Sequence, residues 1–179
     1  MVRPAPLLLF LDFDGVLHHF FPLAGVPDAE NAHFFFLPAF EKAVRALSVP
    51  VEIVIASTWR NTYSLPQIRQ RFSPDIAAKI IGVTPKKGSG KGNGGRQVEV
   101  EQWLLDNHRQ GQAWVGIDDY PLLYNPGSAV VECKDQFGRR EAALLEEAAS
   151  DPKAYALAHP VSHEQPQKLV IVAGVRSEG

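Results

Sequence analysis

The chain contains a single cysteine, Cys133, among 179 residues, which excludes an internal disulfide framework and any cysteine-ligated zinc site. It also lacks an excess of charge of one sign: 18 Lys plus Arg face 20 Asp plus Glu, a formal net charge of −2. No global positive field is available to hold nucleic acid, so any such contact must come from a local patch. Long hydrophobic runs are missing near the start. Leu7 to Leu11 is too short to span a membrane, and Asp12 and Asp14 end it. No small-residue cleavage pattern follows, which argues against a secretory signal. The expectation is a soluble, cytoplasmic chain in a reducing compartment, without a membrane partner. What is present is an ordinary globular mix, 45% hydrophobic and 21% charged, long enough for one domain with a real core and unlike a disordered or fibrous chain.

Three short apolar segments read as buried strands: Leu7–Leu11, Val51–Ala56 and Ala113–Ile117. Ile80–Val83 and Ala129–Cys133 are weaker candidates, giving about five strands. Helical spacing relates Phe40, Val44 and Leu47 after Pro38, then Leu65, Ile68 and Phe72, then Val100, Trp103 and Leu104, and finally Ala142, Leu145 and Ala149. Strands alternating with helices predict an α/β fold with a doubly wound, Rossmann-like parallel sheet. The reading assigns residues 1–150 to one domain and 151–179 to a C-terminal tail, in which the apolar run Lys168–Val175 is a candidate edge strand. Lys86–Gly95, with five glycines and three lysines, reads as a mobile loop.

In parallel α/β sheets ligands bind outside the carboxyl ends of the strands. The residues there form a pattern. The first strand leads into Asp12-Phe13-Asp14-Gly15, the second into Ser57-Thr58-Trp59-Arg60, and the Trp114–Ile117 segment into Asp118-Asp119. Burying that many like charges without compensation costs several kcal/mol per ion, order of magnitude. A hard divalent cation such as Mg²⁺ resolves the conflict, because it prefers oxygen ligands and leaves positions for substrate phosphate oxygens. In extended backbone residues i and i+2 point to one side, so Asp12 and Asp14 can address one ligand while Phe13 packs away. Gly15 lets the chain turn. One carboxylate can then attack as nucleophile while the other moves protons.

With these motifs the sequence resembles the haloacid dehalogenase-like (HAD) phosphohydrolases. Phe10-Leu11-Asp12-Phe13-Asp14-Gly15-Val16-Leu17 matches the first family motif, Ser57 the second, and Asp118-Asp119 the fourth. Arg96 fits the third-motif cation, with Lys91 as the fallback. The resemblance covers about residues 6 to 150. It implies that Asp12 forms an aspartyl-phosphate and that Asp14 is the general acid/base. It further implies that Asp12, the Asp14 carbonyl and Asp118 hold Mg²⁺ with support from Asp119. Ser57 would contact the transferring phosphoryl group, with Thr58 as the competing hydroxyl, and Arg96 would neutralise charge. Neither Gly15–Pro50 nor Arg60–Arg96 has room for a separate cap domain, so an open site is expected.

A narrower resemblance, carried by FLDFDGVLH, ASTWR, RxxExxxWL and IDD, is to capless HAD domains of RNA-repair and polynucleotide end-healing phosphatases. It implies that Arg60 helps hold phosphate. Lys86, Lys87, Lys91 and Arg96 form a patch that can contact a nucleic-acid backbone. The readings that remain open are a phosphomonoesterase acting on polynucleotide ends, a nucleotide or sugar-phosphate phosphatase, and a non-catalytic binding module. Other features have plainer expectations. Gly88–Gly92 fails the P-loop pattern, since Pro85 replaces the first glycine and no Ser or Thr follows Lys91. His18 and His19 read as a surface turn, and His33 with Phe34, Phe35 and Phe36 as a packed segment. Trp59 and Cys133 read as packing residues, and His159 with His163 as no metal pair.

Overall fold

The computed structural model describes residues 5–86 and 95–161. Five strands form one sheet in the order β3-β2-β1-β4-β5, with every neighbouring pair parallel. They are β1 (Leu7–Leu11), β2 (Val51–Ile55), β3 (Ile80–Val83), β4 (Trp114–Asp118) and β5 (Val130–Glu132). The helices are α1 (Leu37–Ala46), α2 (Leu65–Arg69), α3 (Pro74–Ala77), α4 (Gly95–Asp106), α5 (Arg139–Ser150) and α6 (Pro152–Ala158). From central β1 the chain winds outward to β2 and β3, then crosses back to β4 on the other side and on to β5. That reversal makes the gap between the carboxyl ends of β1 and β4 the topological switch point, where such sheets bind ligands. The doubly wound α/β fold expected from the sequence is the fold observed.

Strand β1 is apolar throughout because both of its faces are covered. Leu7, Leu9 and Leu11 join the larger core with Phe40 and Val44 of α1 and Leu145 of α5. Leu8 and Phe10 point the other way, toward Val100, Trp103 and Leu104 of α4. The boundaries expected for the strands shift by about a residue, as is usual at element ends. Cys133 lies just past β5 and is buried.

Two helical readings differ from the structure. The run containing Leu65, Ile68 and Phe72 is not one helix. It breaks after Arg69, and Ser73-Pro74 starts α3, where proline suits the first helical turn and biases its predecessor away from helical backbone. The tail reading over 151–179 omits α6. Asp151 caps that helix by accepting from the Lys153 and Ala154 amides, with Pro152 in its first turn. Tyr155 of α6 is buried and donates to the Val130 carbonyl. His163 and the Lys168–Val175 run lie outside the described residues, as do Lys87, Lys91 and the rest of the glycine loop from 87 to 94.

Among the described residues, the β1–β2 connection carries only α1 and turns, and the β2–β3 connection only a short 3₁₀ turn, α2 and α3. Neither forms a separate cap. No helix among them is long and apolar enough to cross a membrane.

Candidate active site

A crevice of about 440 Å³ opens at the switch point, lined by Asp12, Asp14, Phe20, Thr58, Arg96, Asp118, Asp119, Tyr120 and Leu123. Asp12 follows β1, and its amide donates to the Ile117 carbonyl of β4 at 3.0 Å, which locks the two strand ends together. Phe13 turns into the larger core, edge-on to Phe34 and Trp59. The i, i+2 pattern therefore delivers both carboxylates to one crevice. The Val16 and Leu17 amides then close a helical turn on the Phe13 carbonyl.

Gly15 is required twice over. Its φ is +70°, in the left-handed region that disfavours a side chain. A Cβ there would also lie 2.7 Å from Cγ of Asp119. The glycine admits the Asp119 carboxylate to the cluster.

Asp12, Asp118 and Asp119 each offer a carboxylate oxygen, and these atoms lie within 4.8 Å of one another. The three differ in how they are held. Asp118 is fully buried with donors on both oxygens: Oδ2 accepts from Arg96 Nε at 3.0 Å and from the Tyr124 hydroxyl at 3.2 Å, and Oδ1 accepts from the Tyr120 amide at 3.0 Å. Asp12 pairs through Oδ2 with Arg96 at 3.4 Å, while its buried Oδ1 has no hydrogen-bond partner. Burial, with Asp12 nearby, pushes Asp118 up to about 7, and the same two causes push Asp119 up to about 6. Burial likewise raises Asp12, opposed by Arg96, the Phe13 backbone and the Ser57 hydroxyl. Burial disfavours charge on Arg96, but Asp12 and Asp118 outweigh it and keep the guanidinium protonated.

The charges behind this cluster form a chain. Arg96 reaches Glu99 one turn along α4 at 3.5 Å, and Glu99 pairs with Arg60 at 2.7 Å. With all groups ionised, the carboxylates of Asp12, Asp118, Asp119 and Glu99 exceed Arg96 and Arg60 by two charges. The orphaned Asp12 oxygen, the close carboxylates and this residual charge all fit a divalent cation with oxygen ligands.

Asp14 is held differently again. His18 Nε2 donates to its Oδ1 at 3.0 Å, and Trp59 Nε1 donates to the same oxygen at 3.2 Å. The His18 hydrogen bond, with help from Trp59 and against partial burial, lowers the Asp14 pKa. His18 is thus buried in the site, not in a surface turn, and it packs against His33, Phe34 and Trp59. Its four-residue separation from Asp14 across a tight turn was the available signal. Trp59 combines packing with a hydrogen bond to the site.

The second-motif residues separate. Ser57 is fully buried, and its Oγ accepts the Trp59 amide at 3.4 Å at the start of the 3₁₀ turn Thr58–Asn61. Thr58 lines the crevice. Arg60 does not: its buried guanidinium donates to the Ala56 and Ser57 carbonyls, both at 2.7 Å, and pairs with Glu99. The 3₁₀ turn rotates it back under the end of β2, so it braces the strand end and the Arg96 side chain. Arg96 donates to the same Ala56 carbonyl.

Glu99 and Tyr124 were not anticipated. Glu99 sits within RxxExxxWL at helical i+3 from Arg96, a readable spacing. Tyr124 had only an indirect sign, since a Cβ on Gly116 would lie 2.9 Å from its ring.

This fold, with carboxylates meeting at its switch point, defines a domain of the HAD class. The model of the family described as the HAD domain in Swiss Army Knife RNA repair proteins matches residues 8–144, and the chain belongs to that family. No curated protein and no solved structure matches it significantly.

Proposed function

We propose that the protein is a Mg²⁺-dependent phosphomonoesterase that works through an aspartyl-phosphate on Asp12 and acts on polynucleotide ends. The observation that carries this reading is the buried Asp12 Oδ1, an acceptor without a donor at the mouth of a braced acid cluster. Such an atom is costly unless it binds a cation or reacts.

Asp12, Asp118 and Asp119 would hold the ion, together with the Asp14 carbonyl. When bound, Mg²⁺ supplies charge neutralisation on phosphoryl oxygens. The protein does the rest. A carboxylate oxygen of Asp12 forms a bond to phosphorus as the ester oxygen leaves, and Asp14 gives that oxygen its proton. The negative charge of the incoming ester draws the proton onto Asp14, which the free crevice holds ionised. A water oxygen then attacks the aspartyl-phosphate, its proton passes to Asp14, and inorganic phosphate leaves with Asp12 restored. Arg96 stabilises charge on the equatorial oxygens, and the Ser57 hydroxyl orients the phosphoryl group. Because no cap among the described residues covers the crevice, the phosphate can belong to a long chain. The test is turnover of an aryl phosphate and of an end-phosphorylated oligonucleotide with Mg²⁺ or with a chelator. Mg²⁺-dependent release of phosphate supports the reading, and release that survives complete chelation contradicts it.

A further inference from the structure

The crevice has two chemically distinct parts. Its depth is carboxylate and guanidinium, which an ester phosphate and its cation use. Its mouth carries Phe20, 54% exposed, and Tyr120, 53% exposed, with Leu123 beside them. A single exposed ring is ordinary on a protein surface. These two are unusual because their backbones are pinned. The Phe20 amide donates to Asp135 Oδ1 at 2.7 Å, and His19 Nδ1 bonds the other oxygen of the same carboxylate at 2.8 Å. Asp135 itself sits at φ +62°, a left-handed conformation that Asp tolerates better than most residues. Phe21 packs edge-on against Phe20, with centroids 4.7 Å apart. On the opposite side, the Tyr120 amide donates to Asp118 Oδ1, so this ring is carried by the acid cluster itself. The fold thus presents two aromatic side chains, each on hydrogen-bonded backbone, to solvent at the entrance of a charged crevice.

We propose that Phe20 and Tyr120 form a base-stacking subsite for the unpaired nucleobase of the nucleotide whose phosphate occupies the acid cluster. The inference rests on the phosphatase reading above and adds to it a contact with the base next to the phosphate. Aromatic stacking accepts every base, because each has a π-face, and therefore selects for a base without reading its sequence. It also suits a chain of net charge −2. A preference built on stacking persists in salt, whereas one built on backbone phosphates fades steeply.

The experiment measures kcat/KM in Mg²⁺ on four esters: a single-stranded oligonucleotide with a terminal phosphate, the same oligonucleotide with an abasic terminal sugar, a mononucleotide, and ribose phosphate. The wild-type protein prefers the base-bearing member of each pair by about tenfold or more. The Phe20→Ala/Tyr120→Ala double variant brings both ratios toward one, mainly through KM. Phe20→Leu/Tyr120→Leu, which keeps apolar volume without rings, does the same and excludes misfolding as the cause. Ratios near one in the wild type, or unchanged in either double variant, overturn the subsite. The oligonucleotide and mononucleotide arms separate chain ends from free nucleotides. If no ester is hydrolysed, the phosphatase reading fails by itself. The subsite is then read by titrating Asp12→Asn protein with the base-bearing and abasic oligonucleotides: tighter binding of the former supports it, and equal binding overturns it.

Discussion

Asp12 and Asp118 end neighbouring strands, face one crevice and are both buried, yet the protein treats them in opposite ways. Three donors hold both oxygens of Asp118: Arg96 of α4, and the Tyr124 hydroxyl and the Tyr120 amide at the two ends of one 3₁₀ turn. Asp12 shares Arg96 and is steadied by the Phe13 backbone and the Ser57 hydroxyl, yet keeps Oδ1 without a hydrogen-bond partner. A carboxylate with donors on both oxygens is held in place. One with a lone pair left over in a desolvated pocket is available to a cation or to phosphorus. The difference teaches that burial alone does not set Asp12 apart from Asp118. Unequal satisfaction of equally buried groups does.

Replacing Asp12 is the sharpest way to test that asymmetry. Asp12→Asn lowers turnover of an aryl phosphate by about 10³-fold or more, while circular dichroism shows the fold retained. Full turnover by this variant would remove the distinction. The next largest effect falls on the group the two aspartates share. Arg96→Gln leaves Asp12 and Asp118 buried without their counter-charge, and loss of one partner in such a network costs about 3–5 kcal/mol. A chemical denaturation series reads that loss, and saturating Mg²⁺ recovers part of it because the ion supplies positive charge to the same cluster.

The hydroxyl beside Asp12 comes third. Ser57→Ala costs about 10²-fold in turnover if Ser57 touches the transferring phosphoryl group, and Thr58→Ala costs less. The reverse order assigns the contact to Thr58, which lines the crevice.

pH sharpens the comparison further. In metal-free protein Asp118 and Asp119 titrate near 7 and near 6, above the unfolded value of 3.8. Folding therefore favours their protonated forms, and this contribution is lost as pH rises through those values. Mg²⁺ needs the ionised forms, so the rise in Tm on adding it is small at about pH 5 and largest at about pH 8. A rise independent of pH would place the ion elsewhere. The smallest effect is that of Tyr124→Phe. It removes one of the three donors to Asp118 and costs about 1 kcal/mol, with turnover nearly unchanged at saturating Mg²⁺.

The parallel sheet was legible because β1, β2 and β4 are largely apolar on both faces, which a covered parallel sheet explains. The acid cluster was legible because strand ends are where such sheets place ligands. The bracing behind it was less so. On α4 the usual pattern inverts at its start: Arg96, Gln97 and Glu99 are buried while Val98 is half exposed. Apolar periodicity finds Val100, Trp103 and Leu104 but is silent about charges buried against other charges. Arg60 shows the complementary difficulty. Its place in the sequence puts it near the phosphate, yet a single 3₁₀ turn redirects its side chain to Glu99. His18 was harder to read, because a histidine after the Asp14-Gly15 turn has no periodicity and only its four-residue spacing from Asp14 hints at its burial. The aromatic mouth was out of reach for a similar reason, since Phe20 and Tyr120 lie about 100 residues apart in sequence and only the fold joins them.

The most direct measurement is acid-quenched turnover with an ester carrying a labelled phosphoryl group, followed by peptide mapping. Label bound covalently to the peptide containing Asp12, and missing from the Asp12→Asn protein, is the expected result. Rapid hydrolysis during which no label ever resides on that peptide, with Asp12→Asn equally active, would contradict it.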